Sequence, residues 1–176
     1  MVDSSFQSGV SLIELMIAIL ILGVLSSIAA PAFTQWIQNS QIKNAAGSIQ
    51  EGLQLARVEA VRRNQNVQFL SGGGASWTVG CVNSGTNCPG AIESRDGSEG
   101  SSNVAVATDE STIVFNGLGR ITPAPAANLN FDITNPTGGD CIASSGPMRC
   151  LRVEVAIGGT VRMCDPAIPD TDPKGC

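Results

Sequence analysis

The residue that asks for a chemical explanation first is Glu14, a carboxylate at the head of the apolar run LMIAILILGVL, residues 15–25. A charge carried into lipid costs roughly 2.5–3.5 kcal/mol at a bilayer centre, so such a group needs a partner. The second set is six cysteines, at 81, 88, 141, 150, 164 and 176, with no CxxC among them. Their spacings do not supply the two close pairs of a zinc ribbon, and an even number in a turn-rich chain reads as disulfides made in an oxidising compartment. Six cysteines allow fifteen pairings and the sequence does not choose among them. The nearest-neighbour set is the expectation: Cys81 with Cys88, Cys141 with Cys150, Cys164 with Cys176. The third set, Arg120, Arg149, Arg152 and Arg162, reads as surface arginines on edge strands that discourage aggregation. Histidine is absent, which removes Ser–His–Asp and Cys–His nucleophiles and any imidazole metal site. The glycine run GGGAS at 72–76 precedes a strand, so it lacks the helix dipole that a phosphate loop uses. The expectation is therefore no catalytic residue, no metal, no cofactor and no small-molecule substrate.

These residues must be positioned by two different kinds of structure. Residues 10–33 are interrupted only by Ser11, Glu14, Ser26, Ser27 and Pro31. As a helix they reach about 36 Å, enough to cross a bilayer core. From Ile42 the apolar positions continue as Ala46, Ile49, Leu53, Ala56 and Ala60, one stripe of an amphipathic helix. Gln38, Asn39, Lys43, Asn44, Gln50 and Arg57 make its outer face. The expectation is one helix from about residue 10 to about 64, bent near Pro31, where proline removes a backbone donor. Arg57, Arg62 and Arg63, with Glu51 and Glu59, read as its solvated basic end, suited to the negative pole of the dipole.

After residue 64 the period becomes two. The expected strands are 66–70, 76–82, 104–107, 112–115, 118–121, 129–134, 151–157 and 160–164. Asn116 with Gly117, and Gly158 with Gly159, read as two-residue hairpin turns. Residues 94–103, SRDGSEGSSN, read as a mobile surface loop. Trp77 reads as a core aromatic between sheet and helix. The chain has 176 residues, a net charge of −5 and 14% charged residues; that balance argues against a protein that coats nucleic acid broadly. The fold class is α+β: a long N-terminal helix packed on a head of seven or eight antiparallel strands. Ile49, Leu53, Ala56 and Ala60 are expected to face Val67, Phe69, Trp77, Val79, Ile113, Phe115, Phe131 and Val153.

The segment GVSLIELMIAILILGVLSSIAAP resembles the class III signal of type IV pilins and type II secretion pseudopilins. The resemblance implies cleavage by a prepilin peptidase between Gly9 and Val10, N-methylation of Val10, and insertion in the bacterial inner membrane with the head in the periplasm. It implies the divisions 1–9 leader, 10–33 filament-core half-helix, 34–64 amphipathic half-helix and 65–176 head. Glu14 becomes the fifth mature residue and would pair with a neighbouring subunit's N-terminal amine in the filament, offsetting its burial. Pro31 becomes the twenty-second. Two departures stand out: residues 1–9 carry no Lys or Arg, and Val10 replaces the commoner phenylalanine or methionine.

Residues 49–69 and ASWTVGC resemble the H-type branch, the FimT/FimU minor pilins and GspH pseudopilins. The implied role is a minor pilin that primes or caps a type IV pilus on the cell surface, its partners being other minor and major pilins. Some members of the branch bind DNA through an arginine-containing C-terminal motif. Here that stretch is 158–165 with Arg162, joined by Arg149, Arg152 and Arg120, and opposed by Asp165, Asp170 and Asp172. DNA uptake is the alternative reading, and a type II secretion pseudopilin the third.

Overall fold

The computed structural model describes residues 10–176, which form two compact units divided between Trp36 and Ile37. Helix α1 (Leu12–Arg63) includes Pro31 in its interior without ending there. The expected leader, with Gly9, lies outside the described residues.

In the first unit every side chain from residue 10 to 36 is exposed. Its interior hydroxyls do not compete for outside partners. Ser26 and Ser27 donate to the carbonyls of Leu22 and Val24 at 2.8 Å, and Thr34 donates to that of Ala30 at 3.1 Å. Such internal bonding lets a helix carry Ser and Thr into an apolar medium without unmet donors.

In the second unit α1 buries Ile42, Ala45, Ala46, Ile49, Leu53, Ala56 and Ala60, the i, i+3, i+4 face that the periodicity predicts. Gln38, expected outside, is buried at the head of this stripe, next to Gly138 of a distant loop. The stripe meets two antiparallel four-stranded sheets. One has the order β3 (Glu93–Arg95), β2 (Trp77–Cys81), β1 (Val67–Ser71), β5 (Thr112–Phe115). The other runs β4 (Ala105–Thr108), β6 (Leu129–Thr134), β7 (Leu151–Val155), β8 (Val161–Cys164). Phe69 of β1 joins them, edge-on to Phe131 of β6 at 5.7 Å and tilted against Trp77 at 6.0 Å. Trp77 is core, as its context suggests: it is buried and its indole N–H donates to Ser48 Oγ at 2.8 Å.

Three expectations are corrected. Residues 118–121 are not a strand; only Ile121 bridges back to Phe115. The Asn116 turn is longer than two residues: Asn116 N–H donates to Arg120 O and Gly119 N–H to Asn116 O. The Gly158–Gly159 hairpin repeats that pattern, with Ala156 N–H to Thr160 O and Gly159 N–H to Ala156 O. Each is a three-residue loop closed by a left-handed glycine, φ +72° at Gly119 and +84° at Gly159, the position that a type I turn followed by a bulge leaves to glycine. Finally, residues 94–103 are structured: β3 pairs with β2, an irregular helical turn covers Ser98–Ser101, and buried Ser101 donates to Gln41 O.

The two bulged turns touch. Arg57 of α1 donates its Nε to Gly119 O at 3.1 Å, and a Cβ on Gly159 would strike that same oxygen. Three disulfides brace the periphery: Cys81–Cys88, Cys141–Cys150 and Cys164–Cys176, with Cα separations of 5.7, 5.4 and 5.2 Å. A disulfide closing a loop of this size contributes about 2–4 kcal/mol.

The helix approaches the aromatic pair so closely at Gly52 that a Cβ there would lie 2.8 Å from Phe69 and 2.9 Å from Trp77. Gly47, on the same helix, has nothing within 4 Å. Gly52→Val is therefore expected to lose about 1–3 kcal/mol by overpacking. Gly47→Ala is expected to leave stability unchanged or raise it by up to about 1 kcal/mol. Thermal unfolding of the two variants checks the contrast.

Candidate functional site

Two sets of residues are candidates for function, one in each unit. In the first, Val10 is 73% exposed and precedes the helix. Glu14 lies in the first turn of α1, where the backbone N–H groups and helix dipole favour a carboxylate. Around and beyond it Leu12, Ile13, Leu15, Met16, Ile17, Ile19, Leu20, Ile21, Leu22, Val24, Leu25 and Ile28 all stay exposed. An apolar surface on all sides of a helix fits a lipid or protein surround rather than water. Glu14, Pro31 and Val10 thus share one apolar element.

The second set begins at the C-terminal end of α1. This end is not the solvated cluster expected. Glu59 is only 7% exposed and accepts from Arg62 and Arg63, each at 2.7 Å; Arg63 also donates to Asn87 O. Burial pushes the Glu59 carboxyl up, but the hydrogen bonds and charges of Arg63 and Arg62 outweigh it and hold it below its ordinary value.

The four arginines of the head are not brought together as a free cationic patch. On the outward face of the second sheet, strand register sets Asp132 opposite Arg152 and Glu154 opposite Arg162. Arg152 donates twice to Asp132, at 2.7 and 3.1 Å, the two-pronged geometry that suits a guanidinium. Arg162 donates to Glu154 at 2.6 Å. The Glu154 carboxyl is pushed up by burial and brought below its ordinary value by Asn128 and Arg162, with Arg152 adding charge. The Arg152 guanidinium is raised by its bonds to Asp132 against the opposing effect of burial, with Asp132, Glu154 and Asp109 adding charge. Arg149 donates to Asp165 at 2.7 Å. Arg120 is exposed, and among the described residues it makes no ion pair.

Asp165, expected in an acidic tail opposing the arginines, has a buried side chain that accepts from Arg149 and Ala167 N–H, and its backbone N–H donates to Lys174 O. The tail is thereby fastened by a buried carboxylate as well as by Cys164–Cys176. Sequence reasoning missed the partners Asp132 and Glu154. Alternation along β6 and β7 put them outward, but only the register says what they face.

Comparison with known proteins places this geometry. The family model of the Type II transport protein GspH matches residues 45–165, and that of the prokaryotic N-terminal methylation motif matches residues 4–30. A Type IV major alpha-pilin and a Fimbrial protein Q, both of Moraxella bovis, are 46% identical over 46 residues, which is 26% of this chain and 29% of each relative. The chain thus spans under a third of the length of these curated relatives. Among solved structures, the type IV minor pilin FimU of Pseudomonas aeruginosa has a TM-score of 0.55 at 18% identity, covering 76% of this chain and 98% of that one. The minor pseudopilin EpsH of the Vibrio cholerae type 2 secretion system has a TM-score of 0.53 at 14% identity, covering 73% and 99%. At such identities the likeness is one of fold.

Glu59 and Glu154 generate a pH prediction. Both carboxyls titrate lower in the folded chain than their ordinary value of 4.5. Their contribution is complete above that value and is lost as pH falls through the folded ones. The melting temperature is expected to hold from pH 7 to about 5 and then fall, less steeply in Glu59→Gln. Identical acid slopes for the variant and the parent would count against the Glu59 cluster. Arg149→Ala leaves the buried Asp165 carboxylate without its cation and is expected to cost about 1–3 kcal/mol, read by thermal unfolding.

Proposed function

Because the chain belongs to the GspH family of type II transport proteins, we propose that it works as a minor pilin, a structural subunit that primes or caps a type IV pilus. A prepilin peptidase would cut between Gly9 and Val10 and leave Val10 as the methylated N-terminus. The subunit would wait in the inner membrane, head in the periplasm, and be drawn into the filament among other minor and major pilins. The observation that carries this reading is the exposed, all-round apolar surface of residues 10–36, with one carboxylate in its first helical turn. In a filament core that surface meets neighbouring helices, and Glu14 meets a neighbour's N-terminal amine, which compensates a charge that lipid would not.

A second reading, a type II secretion pseudopilin, draws support from the family match and the likeness to EpsH. The DNA-uptake reading draws less: Arg149, Arg152 and Arg162 each engage a carboxylate of the same chain, which lowers the charge available to phosphates. Arg120 remains for it.

Replacement of the chromosomal gene by a Glu14→Ala allele separates the readings. Surface pili counted by electron microscopy are expected to fall at least tenfold, with secreted exoproteins unchanged. Loss of exoprotein release with pili intact would move the protein to the pseudopilus. Unaltered pili and secretion would remove the assembly role of Glu14. DNA binding by the full chain in detergent is expected to be weak at low salt and no weaker in Arg120→Glu; a loss on that substitution would favour uptake.

A further inference from the structure

We propose that Phe33 and Trp36 form an aromatic anchor in the periplasmic headgroup layer of the bilayer, setting the depth of α1 so that Glu14 rests in the opposite headgroup layer. The inference deepens the membrane step of the function above and rests on it.

The two rings are three residues apart, on one face of the helix, stacked with centroids 5.9 Å apart and planes 23° from parallel. They are 62% and 66% exposed. No other aromatic lies between residues 10 and 36, and the next aromatic along the chain, Phe69, is wholly buried. Trp36 is also amphipathic: its ring is apolar, while its indole N–H, unlike that of Trp77, donates to no protein atom among the described residues. Rings of this kind settle where hydrocarbon meets headgroups. The surrounding sequence puts that boundary at the same place. From residue 15 to 42 there is no charged side chain, and polar residues become frequent only from Thr34 and Gln35 onward.

Length then fixes the other end. Glu14 and Trp36 are 22 residues apart, about 33 Å along a helix, against a hydrocarbon core of about 30 Å. With Trp36 in one headgroup layer, Glu14 falls in the other, and the helix needs little tilt. The carboxylate therefore stays hydrated in the membrane and needs no partner there. Only when the helix is lifted out does it lose that solvation. The anchor holds the subunit at the depth where Glu14 is comfortable, and releasing the two rings is part of the work of extraction.

The test uses the full chain in vesicles of phosphatidylethanolamine and phosphatidylglycerol, with bromine on the acyl chains either near the headgroups or near the chain ends. Trp36 fluorescence is read as the difference between the parent and Trp36→Phe, so the Trp77 core stays intact. A second probe, Leu25→Trp on the Trp36→Phe background, reports the midpoint between residues 14 and 36. Shallow bromine is expected to quench the Trp36 signal about twofold more than deep bromine, with the order reversed for Leu25→Trp. Deep quenching at residue 25 with equal, deep or absent quenching at 36 would overturn the anchor while leaving the span. No quenching at either residue would overturn the membrane reading itself.

Discussion

A helix that is apolar on every side has no stable home in water, and residues 10–36 are such a helix. Burying one large aliphatic side chain is worth about 1.5–3 kcal/mol, and this unit exposes more than a dozen. The arrangement of its few polar groups follows from that constraint. Ser26, Ser27 and Thr34 return their hydroxyl protons to the helix's own carbonyls. Glu14 sits in the first turn, where free N–H groups and the dipole favour it. The unit can pass from lipid to a protein surround without changing its internal hydrogen bonds. What must change is what surrounds Glu14.

The second unit answers a different demand. Its part of α1 is apolar on one face only and seats that face on two sheets bridged by Phe69 and Phe131. Closeness at Gly52 and the bond from Trp77 to Ser48 fix the helix against the first sheet. At the other end, Arg57 reaches the Gly119 turn, against which the Gly159 turn rests. Helix and both sheets thus meet at the Gly119 carbonyl, which takes the Arg57 side chain and leaves room for nothing larger than glycine at position 159. The cations are mostly engaged within the unit, since Arg149, Arg152, Arg162, Arg62 and Arg63 all have carboxylate partners. The head therefore does not present a bare cationic face.

Much of this was legible in the residues because periodicity is a local signal. The stripe from Ile42 to Ala60 and the alternation in β1, β2, β6 and β7 each needed only a few neighbours to read. The Glu14 context was legible for a similar reason, being a long ordered motif. β3 was not: Glu93, Ser94 and Arg95 form a short polar edge strand with no alternation to detect, and only pairing with β2 defines it. Residues 118–121 misled because Leu118 and Ile121 mimic a strand while the left-handed Gly119 folds them into a turn. The buried Glu59 and the ion pairs of Arg152 and Arg162 depend on burial and register, which no local pattern carries. Asp165 misled in the opposite sense: in an acidic, proline-rich tail nothing local says that this one carboxylate is buried, with the exposed Arg149 as its partner.

The central claim is that the surface of residues 10–36 exchanges a lipid surround for one of neighbouring subunits. A photo-activated benzophenone at position 20, replacing Leu20 in the full chain in living cells, tests it most directly. The account predicts adducts to lipid when assembly is blocked, and adducts to other pilin or pseudopilin subunits when assembly proceeds. Lipid adducts alone in both conditions would contradict it.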